Sequence, residues 1–435
     1  MQIKLENCPI CKENKWHDLD YLRDHKYWYD RDYIYDEPIG FKVCKECGFV
    51  TYEYTDDAEL KRRYEDLRKV VDANSIITGN RKIEYHKKFL KDEKIIIGNP
   101  LISSCVVDYG CGIGYILSWL KFIWGSNDSI KYYGIELNDV QKNYAMNEYG
   151  LDIIDDMPEC PVDLIICYHV FEHLQHPDKI LKKFWDALTE NGTLYLSVPN
   201  VIKDDILDEA SGGLTASFEE LYHLNHVNQF SKTSLKNILE TNGFKITKED
   251  DKTYGYTVIC KKIKPVKDIE KQNYLEIEKL IKKQKDSIDL YNQGKYEEAR
   301  IFHTGYIDAW CMNSVKNFKD LPQQEKVLLE AMEATDGHYK IKRQLAHLYF
   351  HWDENKAGES KLTNHIKRSK ELLEELIIDK PGMEDYYYYL ALIENNYYKN
   401  HDRARELFQK MIEINPSKWA EVQNLIGFIW KDKYN

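Results

Sequence analysis

The sequence predicts an α/β chain: a doubly wound, largely parallel sheet in the middle, a small cysteine-held domain before it and an all-α domain after it. Three observations carry this. Short apolar runs alternate with helical segments from about residue 103 to 262. Four of the ten cysteines form two close pairs near the start, and strand-like patterning stops beyond residue 272. At 435 residues the chain is too long for one core and suits about three domains.

Composition narrows the class. The chain is 43% hydrophobic and 31% charged, with 21 Gly and 11 Pro, which excludes a disordered or collagen-like protein. No stretch approaches the roughly 20 apolar residues of a membrane span. The first residues carry no apolar signal core, so a cytoplasmic protein is expected. A net charge of −12 argues against nucleic acid or an anionic membrane as partner.

Residues 1–55 read as a zinc-binding domain. Cys8-Pro9-Ile10-Cys11 and Cys44-Lys45-Glu46-Cys47 are two C-x2-C pairs separated by 32 residues, and Pro9 and Gly48 suit the tight turns such knuckles need. Two pairs complete a four-sulfur shell with no position open to substrate, so the zinc expected on Cys8, Cys11, Cys44 and Cys47 is structural. A redox C-x2-C is the competing reading. The intervening aromatics, Trp16, Tyr21 and Trp28 among them, read as packing for a small core.

Residues 56–100 read as a helical connector, with Leu60, Tyr64, Leu67 and Val71 at helical spacing and a second amphipathic stretch through Ile83, His86 and Leu90. Residues 101–264 hold the sheet. Its strands are centred on Cys105-Val106-Val107-Asp108, Tyr132 to Glu136, Asp163 to Cys167 and Thr193 to Val198, with helices expected at 114–124, 138–149 and 178–190. Strand–helix–strand repetition implies right-handed crossovers and parallel pairing. Residues 272–435 read as all helical. Pro381 and Pro416 lie 35 residues apart, with small residues Ser369 and Ala404 each twelve before them, and Gly294 to Ala299 repeats the small-residue pattern upstream. This resembles the tetratricopeptide repeat, with a last helix expected at 417–431.

The chemistry concentrates in three places. Val106 to Gly114 is a strand running into a glycine loop and then a helix, where bare backbone lets a ligand lie against a helix N-terminus. Asp108 stands just before Gly110, and the next strand ends in Glu136, an acid suited to a ribose diol. The fourth strand runs into Tyr168-His169-Val170-Phe171-Glu172-His173-Leu174.

In this order the residues resemble the class I S-adenosylmethionine-dependent methyltransferases, specifically the subgroup whose fourth strand is followed by a His-Val-Leu-Glu-His-Leu-like motif. The likeness covers about residues 1–262. It includes the zinc knuckles found in many bacterial sugar and natural-product methyltransferases, and a downstream segment from Leu224-Asn225-His226 to Phe230-Ser231. It implies a Rossmann-like methyltransferase sheet with S-adenosylmethionine as cofactor. Gly110, Gly112 and Gly114 would approach its methionine part and Glu136 its ribose. Asp155 or Asp156 would face the adenine amine, with Asp108 and Tyr168 also in the cofactor site.

Methyl transfer from a sulfonium is an in-line displacement, and a hydroxyl or carbon acceptor must lose a proton. His226, His169, His173 and His223, with Glu172 beside them, are the candidates to take it, because His titrates near neutral pH. Sugar C-methyltransferases usually carry Glu-His where this chain has Asn225-His226. Loss of that carboxylate tilts the expectation from carbon toward a hydroxyl of a sugar or sugar nucleotide, in surface-glycan or glycoconjugate synthesis. A second reading stays open: His169-x-x-Glu172-His173 is a metal-ligand spacing, similar to the Glu-x-x-Glu-His site of some O-methyltransferases, with His223 or His226 completing a divalent-metal shell. C-methylation of a keto-sugar nucleotide also stays open, as does a repeat-bearing adaptor or protein methyltransferase. The helical repeats would then dock a protein partner.

Overall fold

The computed structural model describes residues 7–22, 27–30, 33–35, 40–52, 71–91, 104–125, 130–200, 202, 226–251, 255–317, 320–352 and 362–423. The chain divides into two compact units, residues 1–71 with 94–292, and residues 72–93 with 293–435. Most of the expected helix between 56 and 70, the tail of the expected last helix at 424–431, His223 and Asn225 lie outside the described residues.

The first unit opens with β1 (Trp16–Asp18), the hairpin β2 (Tyr27–Asp30) and β3 (Tyr33–Tyr35), then β4 (Phe41–Cys44) and β5 (Val50–Tyr52). β1, β4 and β5 pair antiparallel, and β4 and β5 are buried along their length. Helix α1 (Ala73–Lys91) groups with the second unit.

The large sheet begins at β6 (Ser104–Tyr109), followed by α2 (Tyr115–Trp124), β7 (Ile130–Ile135), α3 (Asp139–Tyr149), β8 (Asp152–Ile153) and β9 (Val162–Tyr168). Then come α4 (Pro177–Ala187), β10 (Leu188–Val198), β11 (Asn228–Gln229), α5 (Lys232–Thr241), β12 (Phe244–Asp250) and β13 (Tyr256–Lys262). Seven strands run in the order β12-β13-β10-β9-β6-β7-β8. Five are parallel neighbours, and β13 runs antiparallel between β10 and β12, so the sheet is mixed at one end. Val107 lies opposite Tyr133 on one side and Ile165 on the other. Near-continuous apolar runs such as Leu164-Ile165-Ile166-Cys167 suit strands covered on both faces. Strand order reverses at β6, which opens a crevice at the carboxyl ends of β6 and β9.

Two expected boundaries shift. The helix expected to reach residue 190 stops at Ala187, and β10 starts at Leu188 with its register shifting between Leu188 and Thr193, around Asn191-Gly192. Helix α6 (Tyr274–Asn292), which the sequence places in the helical domain, belongs to the first unit. Its Glu278 carboxylate lies 3.1 Å from His17 Nε2, and its Glu278 carbonyl accepts the Tyr21 hydroxyl at 3.2 Å.

The second unit consists of α1 with α7 (Tyr296–Phe302), α8 (Ile307–Asn317), α9 (Leu321–Ala334), α10 (Tyr339–His351), α11 (Asn364–Asp379), α12 (Glu384–Asn396) and α13 (His401–Ile414). The α1 side chains explain why it left the connector. Arg81 donates Nε–H to Glu384 at 2.9 Å, Glu84 pairs with Lys410 at 3.0 Å, and a Cβ on Gly382 would collide with the Arg81 backbone. Ser369, Leu373, Ala404 and Phe408 are all buried, and Ser369 donates its hydroxyl to Ala346 O on α10 at 2.8 Å. No helix among the described residues is long and apolar enough to cross a membrane.

Candidate active site

The glycine loop leaves β6 at its carboxyl end. Gly110 has φ 77°, and a Cβ there would stand 2.3 Å from Val170 Cγ2, so glycine is required both by backbone conformation and by space. Its N–H and that of Cys111 both donate to Ile135 O, at 2.7 and 3.0 Å, which ties the loop to β7. Glu136 braces the loop from the other side: Oε2 accepts Gly112 N–H, and Oε1 accepts the N–H groups of Leu137 and Asn138, each at 2.8 Å.

Asp108 is 1% exposed, and neither carboxylate oxygen has a hydrogen-bond partner among the described residues. Burial, and then the Glu136 charge, push its carboxyl up to about 8. Gln141, on α3, is also buried with both amide atoms unpartnered, and its Oε1 would lie 3.0 Å from a Cβ on Gly112. Sequence reasoning missed Gln141. Its signal was the helix start just after Glu136, capped by Asn138, whose Oδ1 accepts Gln141 N–H. Two buried acids and an unused amide beside a bare-backbone loop fit a ligand that carries positive charge and hydroxyls, as S-adenosylmethionine does.

The two aspartates expected at the adenine lie past β8 and are held by lysines. Asp155 is exposed and pairs with Lys142 at 3.1 Å. Asp156 accepts Met157 N–H at 2.8 Å and pairs with Lys183 at 3.0 Å, and Lys183 holds its carboxyl below the usual range. Tyr168 ends β9 with its ring buried, edge-on to His169 at 4.6 Å.

His169 turns the chain out of β9 at φ 54°, a left-handed conformation that a non-glycine residue adopts at a cost. Its N–H donates to Ser197 O at 3.0 Å. The 3-10 turn Phe171–His173 follows and points Glu172 inward, 1% exposed. Among the described residues, neither Glu172 oxygen has a hydrogen bond of ordinary geometry. Three imidazole nitrogens surround Oε1 instead: His169 Nδ1 at 3.4 Å, His173 Nε2 at 3.8 Å and His226 Nε2 at 4.0 Å. Burial pushes the carboxyl up, but His169 and the charge of His173 outweigh it, so Glu172 stays below the usual carboxylate range.

Donor atoms of Glu172, His173 and His226 all lie within 4.8 Å of one another. The metal reading of the sequence centred on His169, Glu172 and His173. The close set exchanges His169 for His226, brought in from the far side of the chain. Bonds of about 2.1 Å to one ion would bring donors to about 3.0–3.4 Å apart, so the 3.8 and 4.0 Å from Glu172 Oε1 to His173 and His226 would close by about 0.4–1.0 Å.

The four knuckle cysteines converge as expected. Cys8 Sγ lies 3.6 Å from Cys47 Sγ, Cys11 Sγ lies 3.5 Å from Cys44 Sγ, and all four are within 4.8 Å. Four thiolates at about 2.3 Å from one zinc would stand about 3.8 Å apart, whereas a disulfide needs about 2.05 Å. The donor set therefore fits a closed zinc shell. Cys160, without a partner in the sequence reading, lies 3.2 Å from Cys105 Sγ.

Residues 61–249 match the family model described as a methyltransferase domain. No curated protein matches the chain. Among solved structures, the chain is similar to an S-adenosylmethionine-dependent methyltransferase from Aquifex aeolicus (21% identity, 45% of this chain and 100% of that one, TM-score 0.32). It is similar to another from Mesorhizobium loti (15%, 38% and 94%, TM-score 0.31). A third likeness is to an O-methyltransferase family protein from Burkholderia thailandensis (9%, 48% and 60%, TM-score 0.33).

Proposed function

We propose that this chain, which carries a class I S-adenosylmethionine-dependent methyltransferase domain across its middle, methylates a hydroxyl of a sugar or sugar nucleotide. The observation that carries the reading is Glu172: a buried carboxylate without ordinary hydrogen bonds, ringed by His169, His173 and His226, one short turn from the glycine loop. Bound S-adenosylmethionine supplies an electrophilic methyl carbon on a sulfonium. Gly110, Gly112 and Gly114 admit it, Asp108 and Gln141 offer buried polar partners, and Glu136 holds the loop open. His226, 20% exposed at its side chain, takes the proton from the acceptor hydroxyl, and the fixed charge of Glu172 stabilises the imidazolium that forms. The bound cofactor would supply its methyl group to that oxygen, the carbon–sulfur bonding pair staying with sulfur.

The sugar class rests on the knuckle and motif resemblance, and the zinc on Cys8, Cys11, Cys44 and Cys47 is part of the same reading, as a structural cross-link. The second unit is assigned to tetratricopeptide-like partner docking, on the 35-residue spacing of Pro381 and Pro416. A second mechanism is favoured by one observation: Glu172, His173 and His226 converge closely enough to hold a divalent ion, which would bind and acidify the acceptor hydroxyl directly.

The test is incubation with trideuteromethyl S-adenosylmethionine and a panel of nucleotide sugars, followed by mass spectrometry of products and protein. The reading predicts label on a sugar oxygen. Label on carbon, with solvent deuterium entering beside a carbonyl, would instead establish C-methylation. Label on protein side chains would establish a protein methyltransferase.

A further inference from the structure

His226 stands on a segment that the knuckle domain holds through its own sheet. β5 begins three residues after Cys47, and β11 pairs antiparallel along it, with Asn228 opposite Thr51 and Gln229 opposite Val50. A two-residue strand is far too short to hold its own place, so neighbouring groups must fix it.

Two buried side chains do this. Thr51, fully buried, donates its hydroxyl to Val227 O at 2.9 Å, next to His226 in the chain. Asn228, 2% exposed, donates Nδ2–H to Leu174 O at 2.6 Å, closing the end of the turn that carries Glu172 and His173. The rings continue the link. Phe230 stacks on Phe171 at 5.3 Å and tilts against Phe49 at 5.5 Å. Cys8, Cys44, Cys47, Phe49, Phe171 and Phe230 belong to one apolar cluster.

We infer that Thr51 and Asn228 are positioning residues that transmit the order of the four-cysteine knuckle to His226 and set it against Glu172. Thr51 fixes the His226 segment to the knuckle sheet, and Asn228 fixes the same segment to the Glu172 turn. The knuckle is thus a structural part of the acceptor-side centre rather than a detached appendage. The catalytic consequence rests on the methyltransferase reading, whereas the mechanical link stands on these contacts alone.

Hydrogen exchange on the full chain, with zinc bound, tests the link together with the rate at which diethyl pyrocarbonate modifies His226. In Thr51→Val and Asn228→Leu, amides of residues 226–230 should exchange at least tenfold faster and His226 should be modified severalfold faster. Zinc content and exchange in residues 110–114 should match the parent. Thr51→Ser, which keeps the hydroxyl, should restore slow exchange. Parent-like exchange and modification in both disruptive variants would overturn the inference, and so would equal loosening in Thr51→Ser and Thr51→Val. Failure of the methyltransferase reading would appear elsewhere, as parent protein that does not bind S-adenosylhomocysteine.

Discussion

Asp108 and Glu136 stand at the carboxyl ends of adjacent parallel strands, yet Glu136 accepts three backbone N–H groups while Asp108, also buried, accepts none among the described residues. Burial and the Glu136 charge push the Asp108 carboxyl up to about 8. A raised carboxyl stabilises the free protein in its protonated form. That contribution is complete below the ordinary aspartate range near pH 4 and is lost as pH rises through about 8. A cationic ligand reverses the preference and releases the proton. S-Adenosylhomocysteine, whose ammonium is cationic, should therefore bind up to about tenfold tighter per pH unit between pH 6 and 8, then level off. Calorimetry of the parent and of Asp108→Asn checks this: the variant should show a flat profile.

The Glu172 cluster predicts a division of labour between binding and turnover. His226→Ala should lower kcat by about 10²-fold or more. Affinity for S-adenosylhomocysteine should stay within about twofold of the parent, because the proposed function assigns His226 to the acceptor rather than to the cofactor. Rapid-quench assays with whichever acceptor the nucleotide-sugar panel identifies would measure the first, and calorimetry the second. Near-parent turnover would remove His226 as the base.

Metal analysis distinguishes the two donor clusters. Elemental analysis should find one zinc per chain, lost in Cys44→Ser, since removing one of four thiolates opens the shell. Exchange protection of β4 and β5 should fall with it. A divalent ion retained in Cys44→Ser, and lost when His173→Ala is added, would instead place a second metal at Glu172, His173 and His226.

The helical unit carries its own acid sensitivity. His347 on α10 is pushed down to about 3 by burial and then by the charges of Arg343 and His351, and it packs against Tyr389 at 4.2 Å. A lowered imidazole stabilises the fold when neutral. Its contribution is present above the ordinary histidine range near pH 6.5 and is lost as pH falls toward 3. Exchange protection of residues 339–351 should drop between pH 6.5 and 4 in the parent and much less in His347→Gln. Parallel profiles would contradict the assignment.

What could be read from the chain divides along physical lines. Asp108 to Gly114 lies in one stretch whose strand, loop and helix are local, so its shape was visible in one dimension. The cysteine pairs were visible for the same reason, because C-x2-C spacing alone brings two sulfurs together. Helix α1 was recognisable as amphipathic, but a buried stripe does not say what covers it, and Arg81 and Glu84 find partners about 300 residues on. β11 was invisible: Asn228-Gln229 has no alternation and little strand propensity, and it is a strand only because β5 lies beside it. For that reason the sequence could offer His226 or His223 as a partner for Glu172, but the closeness of His226 to Glu172 became legible only in three dimensions. Gln141 was missed because the Asn138 cap marks where α3 starts but does not say that its first turn buries an amide beside the glycine loop.

S-Adenosylmethionine is expected against the loop from Asp108 to Gly114, beside Glu136. The most direct measurement is calorimetric titration of the full chain and of Gly110→Ala with S-adenosylhomocysteine. The parent should bind one equivalent. Gly110→Ala should lose at least about 100-fold in affinity while keeping its zinc and its folded circular dichroism, because the added methyl strains φ 77° and meets Val170 at 2.3 Å. Undiminished affinity in the variant, or none in the parent, would contradict the account.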